Sequence, residues 1–204
     1  MFEGVGATQI RRRIAVAAML PLGLNLALAP VAAAAPPAGA LLLSVEDVRG
    51  LAGNVDLAPA EPVSRPGGQH QYDAQYPSSC HGVFNQDVAF SPGYGEFRSV
   101  TYTGSANRTV TQAVAVYPDS STAKAALSTL GKALTACSEA GLPDMAITTQ
   151  VLDRATFALC QAQCATLYRA EGPVLIGVNA VRFGDSDRVA TAVLQQISGR
   201  VGAS

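Results

Sequence analysis

The 204-residue sequence has no tryptophan, and aromatic residues make up only 6% of it. That argues against a carbohydrate platform, which is built from large flat rings. Charge is scarce too: charged residues are 14% of the chain and the net charge is −1. There is therefore no basic footprint for DNA, RNA or anionic lipid, and no nucleic-acid partner is expected. Imidazole is limited to His70 and His81, and neither G-x-S-x-G nor H-E-x-x-H occurs, which leaves a hydrolase with little to work with. Paired C-x2-C zinc spacings are missing as well. Cys80 and Cys137 are isolated and the close pair, Cys160 and Cys164, is spaced C-x3-C. Neither a metal nor a cofactor is expected.

What the sequence does contain begins with an export signal. Arg11-Arg12-Arg13 precedes an apolar run from Ile14 to Leu28 and then the small residues Ala32 to Ala35. This is the basic, apolar, small-residue order of a secretory signal, with Ala33-Ala34-Ala35 as the cleavage site. A transmembrane anchor is the rival reading, but Pro21 and Asn25 interrupt the run, which is short of the roughly 20 residues a span needs. No cysteine lies near the cleavage site, so lipoprotein attachment is not expected. Whether the general or the twin-arginine export route is used stays open. The expected layout is a signal peptide over 1–35, a Pro/Ala/Gly linker over 36–40, one domain over 41–201 and a tail over 202–204. Such a chain is secreted or extracytoplasmic, touching a membrane only as an uncleaved signal anchor. Four cysteines in an exported chain predict two disulfides.

The domain is organised around Thr109–Cys137. Val110, Val114 and Val116 alternate with Thr111, Ala113 and Ala115, which predicts a strand with one bulky and one small face. Tyr117-Pro118 ends it, since proline has no N–H to give to a ladder. Asp119, Ser120 or Ser121 then caps a helix whose Ala123, Leu127, Leu130, Leu134 and Cys137 form a buried stripe. Gly131 weakens that helix by about 1 kcal/mol relative to alanine, so packing must hold it.

Before this unit, Ser44 with Asp47 resembles a capping box opening a two-turn helix that Gly53 ends. The stretch Pro59–Tyr76 has no periodicity and reads as a long surface loop. His70 lies in it and is expected to be a solvated loop residue rather than a metal ligand or a base. A thiol-enzyme reading of Cys80-His81 is set aside, because neighbours along a chain point apart and a bridged cysteine is no nucleophile. A strand over Glu96–Thr103, with Val100 and Tyr102 on one face, turns at Gly104–Asn107 into the central strand. The glycosylation spacing at Asn107-Arg108-Thr109 marks only a surface turn. After the helix, Gly141-Leu142-Pro143 is a stop, and strands are predicted at Met145–Val151, Ala155–Leu159, Ala165–Ala170 and Val174–Val181. Asp185 or Ser186 caps a last helix carrying Val189, Val193 and Ile197, with Gly199 past its end.

In one straight strand the backbones of Cys160 and Cys164 would stand about 13 Å apart, too far for a bridge. A hairpin loop at Gln161-Ala162-Gln163 would bring them face to face and let a disulfide close it. A Cys160–Cys137 pairing or free thiols are the alternatives. Short hairpins throughout predict an α+β domain, a mainly antiparallel sheet with helices packed on it.

Leu41-Leu42-Leu43-Ser44, Cys80-x-Gly82, Gln112–Pro118 leading to a helix that ends in Cys137, and the Val178-Asn179-Ala180 strand before a closing helix together resemble the extracellular sensor domain of PknH-type receptor kinases. That domain also occurs alone in exported actinobacterial proteins. The likeness covers about Leu41 to Val201. It implies a mixed sheet flanked by helices and a cleft for an extracellular ligand. It also implies that Cys80 pairs with Cys137. The family's third cysteine corresponds to Cys164, but its fourth falls at Val181 here, and Cys160 would act as the substitute partner. No kinase segment precedes the domain, so signalling is expected to need a separate partner.

The resulting expectation is a non-enzymatic sensor-like domain that binds a small ligand or an envelope component in a cleft. A protein-docking module without a pocket and a secreted hydrolase are the alternatives. Candidate ligand contacts are the polar residues Gln112 and Asn179 on apolar strands, with Tyr94, Arg98 and Arg182. For the two amides, a satisfied buried hydrogen bond within the sheet is the competing role.

Overall fold

The computed structural model describes residues 36–161 and 164–203, with residues 160, 161 and 164 described by their backbone alone. Seven strands run in chain order as β1 (Leu57–Pro59), β2 (Glu96–Gly104), β3 (Thr109–Val116), β4 (Ile147–Asp153), β5 (Thr156–Gln161), β6 (Cys164–Glu171) and β7 (Val174–Val181). They form one sheet in the order β1-β2-β3-β7-β6-β5-β4. Every neighbouring pair in it is antiparallel. The α+β reading therefore holds, and the mixed sheet implied by the resemblance is corrected. Consecutive strands from β4 to β7 meet through short turns, as hairpin connections require. Two connections are long: one joins the neighbours β1 and β2, and the other leaves β3 and reaches the far edge at β4.

Alternation on β3 divides the interior into two cores. Val110 and Val114 face one cluster and Ala113 and Ala115 face the other. The first cluster is closed by α1 (Ala38–Leu41), α2 (Val45–Leu51) and α6 (Ser186–Gly202), the second by α3 (His81–Phe84), α4 (Gln86–Ala89) and α5 (Ser120–Glu139). Small residues on the second face admit aromatic rings. A Cβ at Gly177 of β7 would lie 2.8 Å from the Phe90 ring, so that ring occupies the space a side chain would need.

The central helix forms as its pattern requires. Asp119 is the cap, its carboxylate accepting the Thr122 N–H at 2.8 Å, and Ala123, Leu127, Leu130, Leu134 and Cys137 are all buried. Burying three leucines contributes about 2 kcal/mol each, which outweighs the Gly131 deficit. Gly131 has its own reason to be there: a Cβ would stand 3.3 Å from the Phe157 ring of β5, and the helix approaches the sheet closely at that point.

Several boundaries differ from expectation. The stretch read as a linker contains α1, with Ala38 and Leu41 buried. Its apolar residues reach a core that a Pro/Ala/Gly composition does not advertise. The last helix runs through Gly199 to Gly202, since Val193 and Ile197 anchor it and one glycine costs it only about 1 kcal/mol. The capping box forms as predicted: Ser44 accepts from the Asp47 N–H and Asp47 accepts from the Ser44 N–H. The second half of the long loop is not a free surface segment. Tyr72 and Tyr76 pack on Phe84 with ring centroids 5.1 and 5.2 Å away.

At the 160–164 hairpin the ladder sets Cys160 opposite Ala165 and Gln161 opposite Cys164, one register step from the arrangement expected. Residues 162 and 163, and the sulfurs of the proposed Cys160–Cys164 clasp, lie outside the described residues, as do the signal segment 1–35 and the terminal residue. Across the next ladder Cys164 stands opposite Val181, the position where the resemblance puts the family's fourth cysteine.

Candidate functional site

A cleft of about 470 Å³ opens between α5 and the β4–β5 hairpin. Its helical wall is the flank beside the buried stripe: three- and four-residue steps bring Lys124, Ser128, Lys132 and Thr135 to the same side as Leu127 and Gly131. The strand wall is Val151, Arg154 and Phe157. Leu127, Gly131 and Phe157 make the floor apolar, while Lys124, Lys132 and Arg154 on the rim outnumber Glu139 and Asp153. Asp153 is already engaged: it accepts from the Ala155 N–H at 2.7 Å, the Thr156 hydroxyl at 3.0 Å and the Arg169 guanidinium at 3.3 Å. The Ala155 bond is the main reason its carboxyl is held below the usual carboxylate range. The β4–β5 turn is thus pinned, and the wall it forms is preorganised. Val151 is 71% exposed and Leu152 48% exposed, among the few large apolar side chains left open to water.

Neither histidine lines the cleft. Ser121 and Lys124 do have the S-x-x-K spacing, which corrects the expectation that no such motif occurs. Here the Ser121 hydroxyl donates to the Asp119 carboxylate as part of the helix cap, and no hydrogen bond joins it to Lys124. Among the described residues no cluster of three or more His, Cys, Asp or Glu side chains could hold a metal.

A second cleft, of about 690 Å³, lies between the 39–47 segment and the loop 59–62, over β2. Arg98 lines it. Gln112 sits beneath it, fully buried, with Oε1 accepting the Leu43 N–H and Nε2 donating to the Leu43 carbonyl, both at 2.9 Å. Asn179 donates to the Thr166 hydroxyl at 2.7 Å beside a depression of only about 40 Å³. Tyr94 packs among Phe97 and Tyr117 on the opposite core. Arg182 is exposed just after β7, at φ 62°. The five predicted contacts are therefore spread over separate places, and of these two large clefts the second is lined by Arg98. The residues of the α5 cleft escaped the sequence reading because they belong to the exposed flank of a helix, where lysine, serine and threonine are ordinary.

The family model for the PknH-like extracellular domain matches residues 32–200. The chain belongs to that family. Among solved structures, the extracellular domain of PknH from Mycobacterium tuberculosis superposes with a TM-score of 0.64 at 18% identity, over 81% of this chain and 95% of that one. No curated protein matches the chain. A PknH-like extracellular domain is a sensor-type domain, and its place is outside the cytoplasm.

In this PknH-like domain Cys80 and Cys137 are joined, with Cα atoms 4.9 Å apart. His81 points away from that bridge, and its Nε2 contacts the carbonyls of Asp73 and Tyr76 at 3.2 and 3.1 Å. His70 is exposed, as expected of a solvated loop residue, but it is not without partners. Its Nδ1 lies 2.8 Å from the Asp73 carboxylate and its Nε2 lies 2.8 Å from that of Asp87. The carboxylates sit at opposite ends of the ring, so the three clamp the loop to α4 instead of converging on an ion. Asp73 is visible from sequence as an i,i+3 neighbour, but Asp87, 17 residues on, is not.

The hydrogen bonds that His70 donates to Asp73 and then Asp87 raise its pKa above the ordinary 6.5, and His70 in turn lowers that of Asp73 below 3.8. The histidine's contribution is complete below pH 6.5 and is lost as pH rises through the folded value. The aspartate's contribution is complete above 3.8 and is lost as pH falls through its folded value. The clamp is therefore tightest in the acidic window between them. An NMR titration should place the His70 midpoint above 6.5, and Asp87→Asn should bring it down. A midpoint at or below 6.5 contradicts the clamp.

Proposed function

We propose that the chain is an exported, non-enzymatic sensor domain that holds a small ligand or envelope component in the cleft between α5 and the β4–β5 hairpin. Its first 35 residues act as a cleaved signal peptide, and the released protein carries no lipid anchor. The observation that carries the reading is the apolar floor at Leu127, Gly131 and Phe157 under a rim of Lys124, Lys132 and Arg154. Its volume is in the range of small-molecule sites, and that rim and floor suit an acidic molecule with an apolar body.

Native mass spectrometry of protein collected from culture medium tests it. The wild type should carry a bound mass that denaturation releases, and Ser128→Trp, which fills the cleft from an exposed helix position, should not. Bare protein in both cases contradicts it.

A second reading, docking of a partner protein, is favoured by Val151 and Leu152, exposed on the outer strand β4. If that holds, Leu152→Glu, on the same strand but outside the cleft lining, abolishes capture of an envelope partner while leaving any small-molecule mass in place.

A further inference from the structure

The larger cleft, over β2, has a different chemistry. Arg98, Val100 and Tyr102 share one face of β2, the face covered by α1 and the segment after it. A Cβ at Gly39 would come within 3.9 Å of the Arg98 Cγ and Nε, so the first helical turn lies on the arginine stem. Arg98 is half-buried, and among the described residues its guanidinium makes no hydrogen bond and no ion pair. The other cation in the wall, Arg200, is committed, to the Leu42 carbonyl and to Asp47 at 3.0 Å. Asp47 is doubly engaged, because it also accepts from the Ser44 N–H. Of the other acids nearby, Glu46 lies 4.0 Å from Arg49, and among the described residues neither Glu61 on the loop nor Glu96 on the same strand face pairs with Arg98.

A cation drawn partly out of water without a counter-charge is unfavourable. Its planar fork matches a carboxylate or phosphate. The walls around it are apolar: Leu42, Val45, Pro59, Pro62 and Val100. We propose that this cleft is a second binding site, for an anionic headgroup on an apolar tail, with Arg98 receiving the headgroup. It does not depend on the α5 cleft being occupied.

Isothermal titration of the secreted protein with decyl phosphate, decanoate, neutral decanol and inorganic phosphate tests it. At least one of the two anionic amphiphiles should saturate a single site. Decyl phosphate alone would assign a phosphate headgroup, and decanoate alone a carboxylate. Arg98→Gln should weaken the binding by about tenfold or more, and Arg98→Lys should recover part of it. Ala60→Trp, at an exposed wall position that needs only its backbone for the fold, should block the cleft. Ser128→Trp in the other cleft should change nothing. The proposal is overturned if neither amphiphile saturates, if a folded Arg98→Gln binds as the wild type does, or if decanol or inorganic phosphate binds as tightly as the amphiphile.

Discussion

Cys137→Ser should lower the unfolding free energy by about 4 kcal/mol. The bridge it breaks spans 57 residues of sequence. In the chain-entropy account, the loop it no longer closes gives the unfolded chain that much extra freedom. The native state loses as well, because Cys80 and Cys137 are buried, at 0% and 1% exposure. The serine hydroxyl and the freed thiol would stay in an apolar cluster. For a domain of this size each 1 kcal/mol shifts the melting temperature by roughly 2–4 °C, so the midpoint should fall by roughly 8–16 °C. Reductant should do the same to the wild type. Cys160→Ser, which at most opens a hairpin, should move the melt far less. Equal losses for the two variants would contradict this account of what the bridge does.

Gln112→Leu should cost about 2–3 kcal/mol, although it keeps the volume and adds apolar surface. Its amide serves both backbone groups of Leu43, a residue that is 1% exposed. The carbonyl would still have the Tyr102 hydroxyl, at 2.7 Å, but the N–H would have no partner. An orphaned buried donor costs more than an average hydrogen bond contributes. Tyr102→Phe, which leaves the Gln112 pair intact, should cost only about 1 kcal/mol. The comparison also separates two roles for this glutamine. A ligand contact would leave the melt unchanged and alter binding alone, whereas a tie holding the N-terminal segment to β3 would lower the melt without any ligand.

These two residues also show what the sequence makes legible. The alternation of Val110, Val114 and Val116 and the stripe from Ala123 to Cys137 are local signals, and the strand, the helix and their caps follow from them. That Gln112 reaches Leu43, 69 positions away, is long-range, and no local pattern carries it. The same holds for His70 and Asp87, which are brought together where Tyr72 and Tyr76 dock on Phe84 and the Gly67 carbonyl accepts from the Gln86 N–H. The pairing of Cys80 with Cys137 came from family resemblance, since spacing alone leaves three connectivities for four cysteines. The α5 cleft was missed for a different reason. A binding wall on the solvent side of an amphipathic helix has the composition of any solvated helix face, and only the hairpin standing over it turns that face into a site.

The central claim is that a sulfur cross-link formed outside the cytoplasm joins the front loop to the middle helix and so makes a rigid body around two clefts. Peptide mass mapping of protein collected outside the cell, under non-reducing conditions with free thiols blocked, tests that most directly. The account predicts one cross-linked species containing the Cys80 and Cys137 peptides. Recovery of both peptides as separate, blocked thiols would contradict it.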